Sequence, residues 1–287
     1  MMLMEGKLPA AALRAEIRRR AAALSAAGHT PRLAAVLAGE DQASDLYLTR
    51  KEKLGRELGV AVEAFRLPRT TEEELAALLR RLSLRPDVDG ILLEQPLPRS
   101  IRREQVLHAI DPFKDVDGAT GRTTGLLTGD PTGLAPATPL AVMRMLRYYQ
   151  VPLVGAHVVI VGHSPVVGRP LALLMLREDA TVTVCHKETR DLAAHTRQAD
   201  ILVVAAGVPG LINGEMIREG AVVVDVGINL VDGKTVGDVD FESASRVAGA
   251  ITPVPGGIGP LTTLTILENT IRSAEKRSPA LTRITGD

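Results

Sequence analysis

Val158-Val159-Ile160-Val161-Gly162-His163-Ser164-Pro165-Val166-Val167-Gly168 decides how this chain folds. Its first four residues are β-branched and apolar, which suits a buried strand. Gly162 and Gly168 bound a short turn, and a helix opens beyond it. A strand that turns into a helix in this way aims free amides and the positive end of a helix dipole at an anion. The spacing is Gly-x-Ser-x-x-x-Gly rather than Gly-x-Gly-x-x-Gly, so the dinucleotide fingerprint is met in part. On this stretch alone, a dinucleotide loop built from Gly162, His163, Ser164, Val167 and Gly168 and a plain βα turn stand level.

Working outward, β-branched and small apolar runs recur at 181–185, 201–205 and 222–226, with helical segments at 170–177 and 191–198. Thr138-Pro139 opens a helix running to about 149, with Pro in its first turn. Upstream the same alternation appears once more. Residues 8–27 read as a helix ended by Gly28, and 33–37 as a strand. Ser44 is the expected N-cap of a helix to about 58, and 60–65 is a strand. Thr71-Glu72-Glu73-Glu74 is a capping box for a helix to about 84, and 90–93 is a strand stopped by Pro96 and Pro98. Two β-α-β alternations predict an α/β protein with parallel sheets. The Gly-, Thr- and Pro-rich stretch 119–137 reads as the passage between two domains. The expected division is 1–119, rejoined by a C-terminal helix within 263–287, and a Rossmann-like domain at 120–262.

Composition narrows the function. The 287 residues balance 34 Lys and Arg against 34 Asp and Glu, so no global field draws in nucleic acid or anionic membrane. Aromatics make up 2%, with no Trp, which leaves little for base stacking. The lone Cys185 excludes an intramolecular disulfide and a cysteine-based zinc cluster, and suits a reducing, cytoplasmic setting. Met1-Met2-Leu3-Met4 is cut short by Glu5 and Lys7, and no apolar run reaches membrane-spanning length. A metal site is not expected, because the carboxylate-rich turn 111–118 lacks the ligand count of a calcium loop.

In dinucleotide folds an acid near the tip of the second strand takes the ribose hydroxyl, whereas a cation there accommodates a 2′-phosphate. Here that strand ends Cys185-His186-Lys187, with Glu188 following. Lys187 and His186, with His163, favour NADP over NAD; Lys187 as a solvated loop residue is the competing reading.

Three further segments carry chemistry. Tyr47 and Lys51 stand four apart on one helix face, a phenol and an ammonium suited to proton transfer beside an aromatic ligand, or simply a surface pair. Gly90-Ile91-Leu92-Leu93-Glu94-Gln95-Pro96-Leu97-Pro98 ends an apolar strand in polar groups, at the sheet edge where α/β folds bind ligands. In Asp115-Val116-Asp117-Gly118 a carboxylate either holds an amino-heterocycle by paired hydrogen bonds or shapes the turn. Finally, Thr252-Pro253-Val254-Pro255-Gly256-Gly257-Ile258-Gly259-Pro260-Leu261-Thr262 alternates stiff and permissive residues, more than an ordinary turn needs, and reads as a ligand-lining loop.

Taken together, these segments resemble the bifunctional methylenetetrahydrofolate dehydrogenase/cyclohydrolase family. The resemblance is carried in order by Ser44 with Tyr47 and Lys51, by 90–98, by 114–118, by Thr138-Pro139, by 161–168, by Asp225-Val226-Gly227-Ile228-Asn229, by Gly237-Asp238-Val239 and by 252–262. It implies an N-terminal catalytic domain, an NAD(P) domain with a cleft between them, and a homodimer. It also implies tetrahydrofolate derivatives as substrates, NADP as cofactor, and a place in one-carbon metabolism and purine biosynthesis. By this resemblance Lys51 matches the essential lysine, Tyr47 the residue lining the folate ring, and Asp117 the pterin anchor. Pro255, Gly256, Gly257, Ile258 and Gly259 match the substrate loop, and Ile228 a cofactor contact.

Two departures bear on mechanism. His163 stands where the family usually has Arg, and Glu94 where it usually has Gln, with Gln95 one place off. Gln95 can serve only if the strand end turns, because successive strand side chains face opposite ways. A glutamate beside Lys51 is expected to form an ion pair with it and weaken the cyclohydrolase relative to the dehydrogenase. The readings that compete with the bifunctional enzyme are a dehydrogenase with weak or absent cyclohydrolase and a non-catalytic nucleotide sensor.

Overall fold

The computed structural model describes residues 1–129 and 133–277. In chain order the elements are β1 (Met2–Leu3), α1 (Lys7–Ala26), β2 (Arg32–Ala38), α2 (Gln42–Leu58), β3 (Ala61–Leu67), α3 (Glu72–Leu84), β4 (Gly90–Leu93), α4 (Arg103–Leu107), α5 (Gly121–Leu126) and α6 (Ala137–Tyr148). They continue with β5 (His157–Val161), α7 (Gly168–Leu176), β6 (Thr181–Cys185), α8 (Leu192–Thr196), β7 (Ile201–Val204), β8 (Val222–Asp225), β9 (Asn229–Val231), β10 (Lys234–Val236), α9 (Phe241–Ala244), β11 (Ala250–Ile251) and α10 (Gly259–Arg277).

The chain clusters into two units, one of Met1–Ala12 and Thr138–Thr262, the other of Leu13–Ala137 and Thr263 onward. These bounds differ from those read in the sequence at two places. Residues 1–12 join the later unit because β1 adds to its sheet beside β11. The stretch 119–137, read as a passage, contains α5 and groups with the earlier unit. Residues 130–132 and 278–287 lie outside the described residues.

The earlier unit has a parallel sheet in the order β3-β2-β4. Its central strand is buried at six of seven positions, as a strand covered on both faces must be. Helix α3 lays Leu75, Leu78, Leu79 and Leu82 on one face, the i, i+3, i+4, i+7 pattern, and these join Val36, Ile91 and Leu93 in the core. The capping box is present: Thr71 Oγ1 accepts from Glu74 N–H at 3.2 Å, and Glu74 Oε2 accepts from Thr71 N–H at 2.9 Å. At α2 the cap is Asp41 rather than Ser44, whose amide and hydroxyl both donate to Asp41 Oδ2. The described part of α10 beyond residue 262 belongs to this unit. There Asn269 Nδ2 donates to the Val116 and Ala135 carbonyls, and Ser273 Oγ to that of Phe113.

The later unit has a six-stranded parallel sheet, β1-β11-β8-β7-β5-β6, with its own core of Val159, Val161, Leu202, Val204, Val223 and Ile251. The chain runs outward from β5 to β6, then returns to place β7 on the other side of β5. The hairpin β9–β10 and the edge strand β1 escape a periodicity reading, being three and two residues long. Among the described residues no helix is long and apolar enough to cross a membrane.

Candidate active site and dinucleotide cradle

In both sheets the order reverses beside one strand, and ligands bind such sheets at the carboxyl ends next to the reversal. In the earlier unit that place lies between β2 and β4. Glu94 follows β4 directly, its amide extending the ladder to Val36 O at 2.9 Å. Lys51, on α2, donates to both Glu94 oxygens, at 2.8 Å to Oε1 and 2.9 Å to Oε2. Both side chains are about nine-tenths buried, at 10% and 9% exposure, so this is a desolvated, charge-assisted contact rather than a surface pair.

The alternation of the strand explains which of the two polar residues meets Lys51. Glu94 points inward and Gln95 is exposed. Gln95 contributes only its carbonyl here, 3.0 Å from Ser44 Oγ. Ser44 in turn holds the Asp41 carboxyl below the usual carboxylate range, through its hydroxyl and its amide. Tyr47, one turn before Lys51, is 58% exposed, with the Arg50 guanidinium 5.6 Å from its ring centre.

Of the three aspartates in the 111–118 turn, Asp115 and Asp117 sit in different surroundings. The turn is annexed to β4, with Ile91 N–H donating to Lys114 O at 2.7 Å. Asp115 is buried and accepts from Ala119 N–H, Thr120 N–H and Thr123 Oγ1, so it shapes the turn. Asp117 makes no side-chain hydrogen bond among the described residues. Burial pushes its carboxyl up to about 7, Asp115 and Glu94 add to this, and Lys51 and Arg103 oppose it. Lys51, Glu94 and Asp117 thus form one electrostatically coupled cluster. Arg103, on α4, acts on it without having been marked by any motif.

In the later unit the reversal lies between β5 and β7. Gly162 has φ +116°, and a Cβ on it would sit 2.1 Å from the Ala205 carbonyl oxygen, at the end of β7. A Cβ on Gly168 would lie 1.9 Å from Gly162 O. Only glycine lets the turn fold back on itself so tightly and bring backbone up to a ligand. Ser164 Oγ accepts from Val167 N–H at 3.1 Å, and Val167 supplies no side-chain cap to α7. The start of α7 therefore keeps the character of an anion site, and the cradle fits a dinucleotide pyrophosphate.

His163 lies beside His186, with ring centres 4.9 Å apart. Lys187 projects into solvent at 87% side-chain exposure, with Glu188 3.7 Å away. Ile228 is 71% exposed beyond β8. In the loop 252–262, Pro255, Gly256 and Gly259 are exposed, whereas Gly257 and Ile258 are buried. Ile258 is thus a core side chain, and the exposed residues of this loop are glycines and prolines.

Asp225 and Asp238, which the sequence offers only as part of the family resemblance, acquire a role in the structure. Asp225 accepts from the amides of Gly227, Asp238 and Val239, and Asp238 accepts from those of Ala206 and Gly207 and from Asn229 Nδ2. Burial pushes the Asp225 carboxyl up to about 6, although its three amide donors oppose this. The two aspartates tie the loops after β7, β8 and β10 together beside the cradle. Their signal in the sequence was a carboxylate at each loop edge, thirteen residues apart, but which amides they meet depends on strand order. No group of three or more His, Cys, Asp or Glu among the described residues is arranged to hold a metal.

Comparison with known proteins agrees with this geometry over nearly the full length. Residues 4–117 match the catalytic domain of tetrahydrofolate dehydrogenase/cyclohydrolase, and residues 136–278 match its NAD(P)-binding domain. The chain is 49% identical to the bifunctional protein FolD of Nitratidesulfovibrio vulgaris, over 96% of this chain and 99% of that one. The crystal structure of the bifunctional FolD enzyme of Campylobacter jejuni superposes with a TM-score of 0.94 at 43% identity, covering 97% and 100% of the two chains. That of Trypanosoma brucei, complexed with NADP cofactor and an inhibitor, gives 0.90 at 35% identity, covering 96% and 98%. With the cluster at the β2/β4 reversal and the cradle at β5/β7 both in place, this chain belongs to the tetrahydrofolate dehydrogenase/cyclohydrolase family.

Proposed function

We propose that the chain carries out two consecutive steps on a folate-bound one-carbon unit. In the first, 5,10-methylenetetrahydrofolate loses a hydride to NADP⁺ and becomes the 5,10-methenyl cation, with NADPH formed. In the second, water adds to the methenyl carbon, one C–N bond opens, a proton is released, and 10-formyltetrahydrofolate results. The observation that carries this reading is the buried Lys51–Glu94 pair coupled to Asp117 at the β2/β4 reversal.

NADP⁺ supplies the hydride acceptor; Gly162, Ser164, Val167 and Gly168 would hold its pyrophosphate against the start of α7, and Ile228 would pack on it. The Asp117 carboxyl makes no hydrogen bond among the described residues and is pushed up to about 7 by burial, so it can hydrogen-bond the amino-pyrimidine edge of the pterin in either protonation state. Exposed Tyr47 offers a flat apolar face with a polar tip to the ring system. Lys51 positions the substrate and carries the proton that the attacking water gives up. Backbone of the 255–259 loop would border the substrate, with its buried Ile258 anchoring it.

The chain acts as a homodimer in the cytoplasm and supplies formyl-bearing folate to purine biosynthesis. The lone buried Cys185 supports a reducing compartment, and sedimentation equilibrium at twice the chain mass would support the dimer. The residue assignment is tested by Lys51→Met. General acid–base groups contribute ~10²–10⁴-fold, so cyclohydrolase should fall by about that range with the far-ultraviolet circular dichroism unchanged. Retention of more than about a tenth of the rate would contradict the role of Lys51.

A further inference from the structure

We infer that Asn269 is a positioning residue for the folate site, the side chain that aims the Asp117 carboxyl. This rests on the reading of Asp117 as the pterin contact. The Asp117 carboxyl makes no hydrogen bond among the described residues, so its direction is set by its backbone. Asn269, fully buried on α10, donates from Nδ2 to the Val116 carbonyl at 2.8 Å and to the Ala135 carbonyl at 2.9 Å. The Val116 carbonyl belongs to the peptide unit whose nitrogen is that of Asp117, and such a unit is planar. A grip on its oxygen therefore fixes the plane from which Asp117 departs. The next peptide unit is held from the segment that carries Ala135, with Ala137 N–H donating to Asp117 O at 3.4 Å.

One side-chain amide thus ties both flanks of Asp117 to a single helix. The two segments can approach because residue 118 is glycine: its φ is +64°, and a Cβ there would lie 2.5 Å from Pro136 Cα. Helix α10 is itself seated against β4, where a Cβ on Gly90 would lie 2.6 Å from Val116 Cγ1 and 2.8 Å from Thr270 Oγ1. Glu94, the partner of Lys51, follows that strand directly, so α10 sets Asp117 in one frame with the ion pair. The amide fits in one orientation only, since two carbonyls take both hydrogens of Nδ2. Asn269 Oδ1 has no hydrogen-bond partner among the described residues, so all the bonding of this side chain is directed at the two carbonyls.

The test is a double-mutant cycle of Asn269→Ala and Asp117→Ala in the whole protein. It is read as dehydrogenase kcat/KM for methylenetetrahydrofolate, with NADP⁺ affinity measured by calorimetry in the absence of folate. A misplacement of about 1 Å costs up to about 10²-fold, so Asn269→Ala should lower folate kcat/KM by roughly 10–100-fold, through KM more than kcat, with NADP⁺ affinity unchanged. In the Asp117→Ala background the same substitution should add less than about twofold, because the group it positions is gone. Asn269→Ser keeps one donor and should fall between Asn269→Ala and the wild type; it takes the place of the alanine variant in the cycle if that variant does not fold. A loss that adds in full to that of Asp117→Ala, equal weakening towards folate and NADP⁺, or an unchanged folate kcat/KM overturns the positioning role and leaves Asp117 as the contact. An Asp117→Ala variant with wild-type folate kcat/KM would overturn both.

Discussion

Glu94→Gln removes one charge from a buried pair and leaves its shape, so its consequences can be worked from the contacts. Lys51 Nζ meets both Glu94 oxygens within 2.9 Å. For Lys51 to pass on a proton during hydrolysis, Glu94 must remain charged and buried without its counter-ion. Stranding one partner of a buried pair costs about 3–5 kcal/mol, and a charge-assisted hydrogen bond alone about 1.5–3 kcal/mol. The pair keeps about a tenth of its surface in solvent, which places the cost in the lower range. A burden of about 1.5–3 kcal/mol on the transfer step corresponds to roughly 10–100-fold in rate. Glutamine accepts a hydrogen bond from a neutral or a charged amine, and removes that burden. Cyclohydrolase kcat should therefore rise by roughly tenfold or more, with dehydrogenase kcat/KM altered by less than about threefold. Asp117, which Glu94 helps push up to about 7, should titrate lower, moving the acid limb of the pH profile downward. Stopped assays that resolve methenyl-folate from 10-formyltetrahydrofolate would measure both rates across pH. A silent or slower Glu94→Gln, with Gln95→Ala inactive, would refute the reasoning and transfer the role to Gln95.

Asp117 also links stability to pH. Its carboxyl is raised above its unfolded value, so its contribution is complete below the ordinary carboxylate range and is lost as pH rises through about 7. Asp117→Asn should flatten the fall in urea midpoint between about pH 4 and 7; an unchanged slope would contradict this. Asp225→Ala leaves three amide donors without their acceptor, at about 1–3 kcal/mol for each stranded group. Urea unfolding should show a loss of about 3 kcal/mol or more, and a loss under about 1 kcal/mol would be inconsistent with the network. Gly168→Ala places a methyl 1.9 Å from Gly162 O, so dinucleotide binding should be lost in calorimetry; retained affinity would show that the turn relaxes freely.

The alternation of strands and helices was readable because each long element repeats its apolar residues with one period. The start of α3 was marked in the sequence by the capping box at Thr71 and Glu74, and the structure carries both of its hydrogen bonds. Thr181–Cys185 was bounded to the residue, since a run of β-branched residues ends where polar ones begin. The pairing of Lys51 with Glu94 followed from the alternation at the end of β4, once that strand was placed beside α2. The cap of α2 was misplaced by three residues because Asp41 and Ser44 are both good caps, and only their mutual hydrogen bonds rank them. The joining of β1 to β11 was not legible, since a two-residue strand carries no period and its partner lies almost 250 residues away. The Asp225–Asp238 network was hidden for the same reason: its donors come from loops that only the strand order brings together.

One chain couples NADP-linked oxidation of methylenetetrahydrofolate to hydrolysis of the product. Incubating the purified protein with methylenetetrahydrofolate and NADP⁺, and quantifying NADPH, methenyl-folate and 10-formyltetrahydrofolate separately over time, tests it directly. NADPH should match the sum of the two folate products, and 10-formyltetrahydrofolate should form faster than in an enzyme-free solution of methenyl-folate. Absence of NADPH, or methenyl-folate that accumulates and decays only at the enzyme-free rate, would contradict the claim.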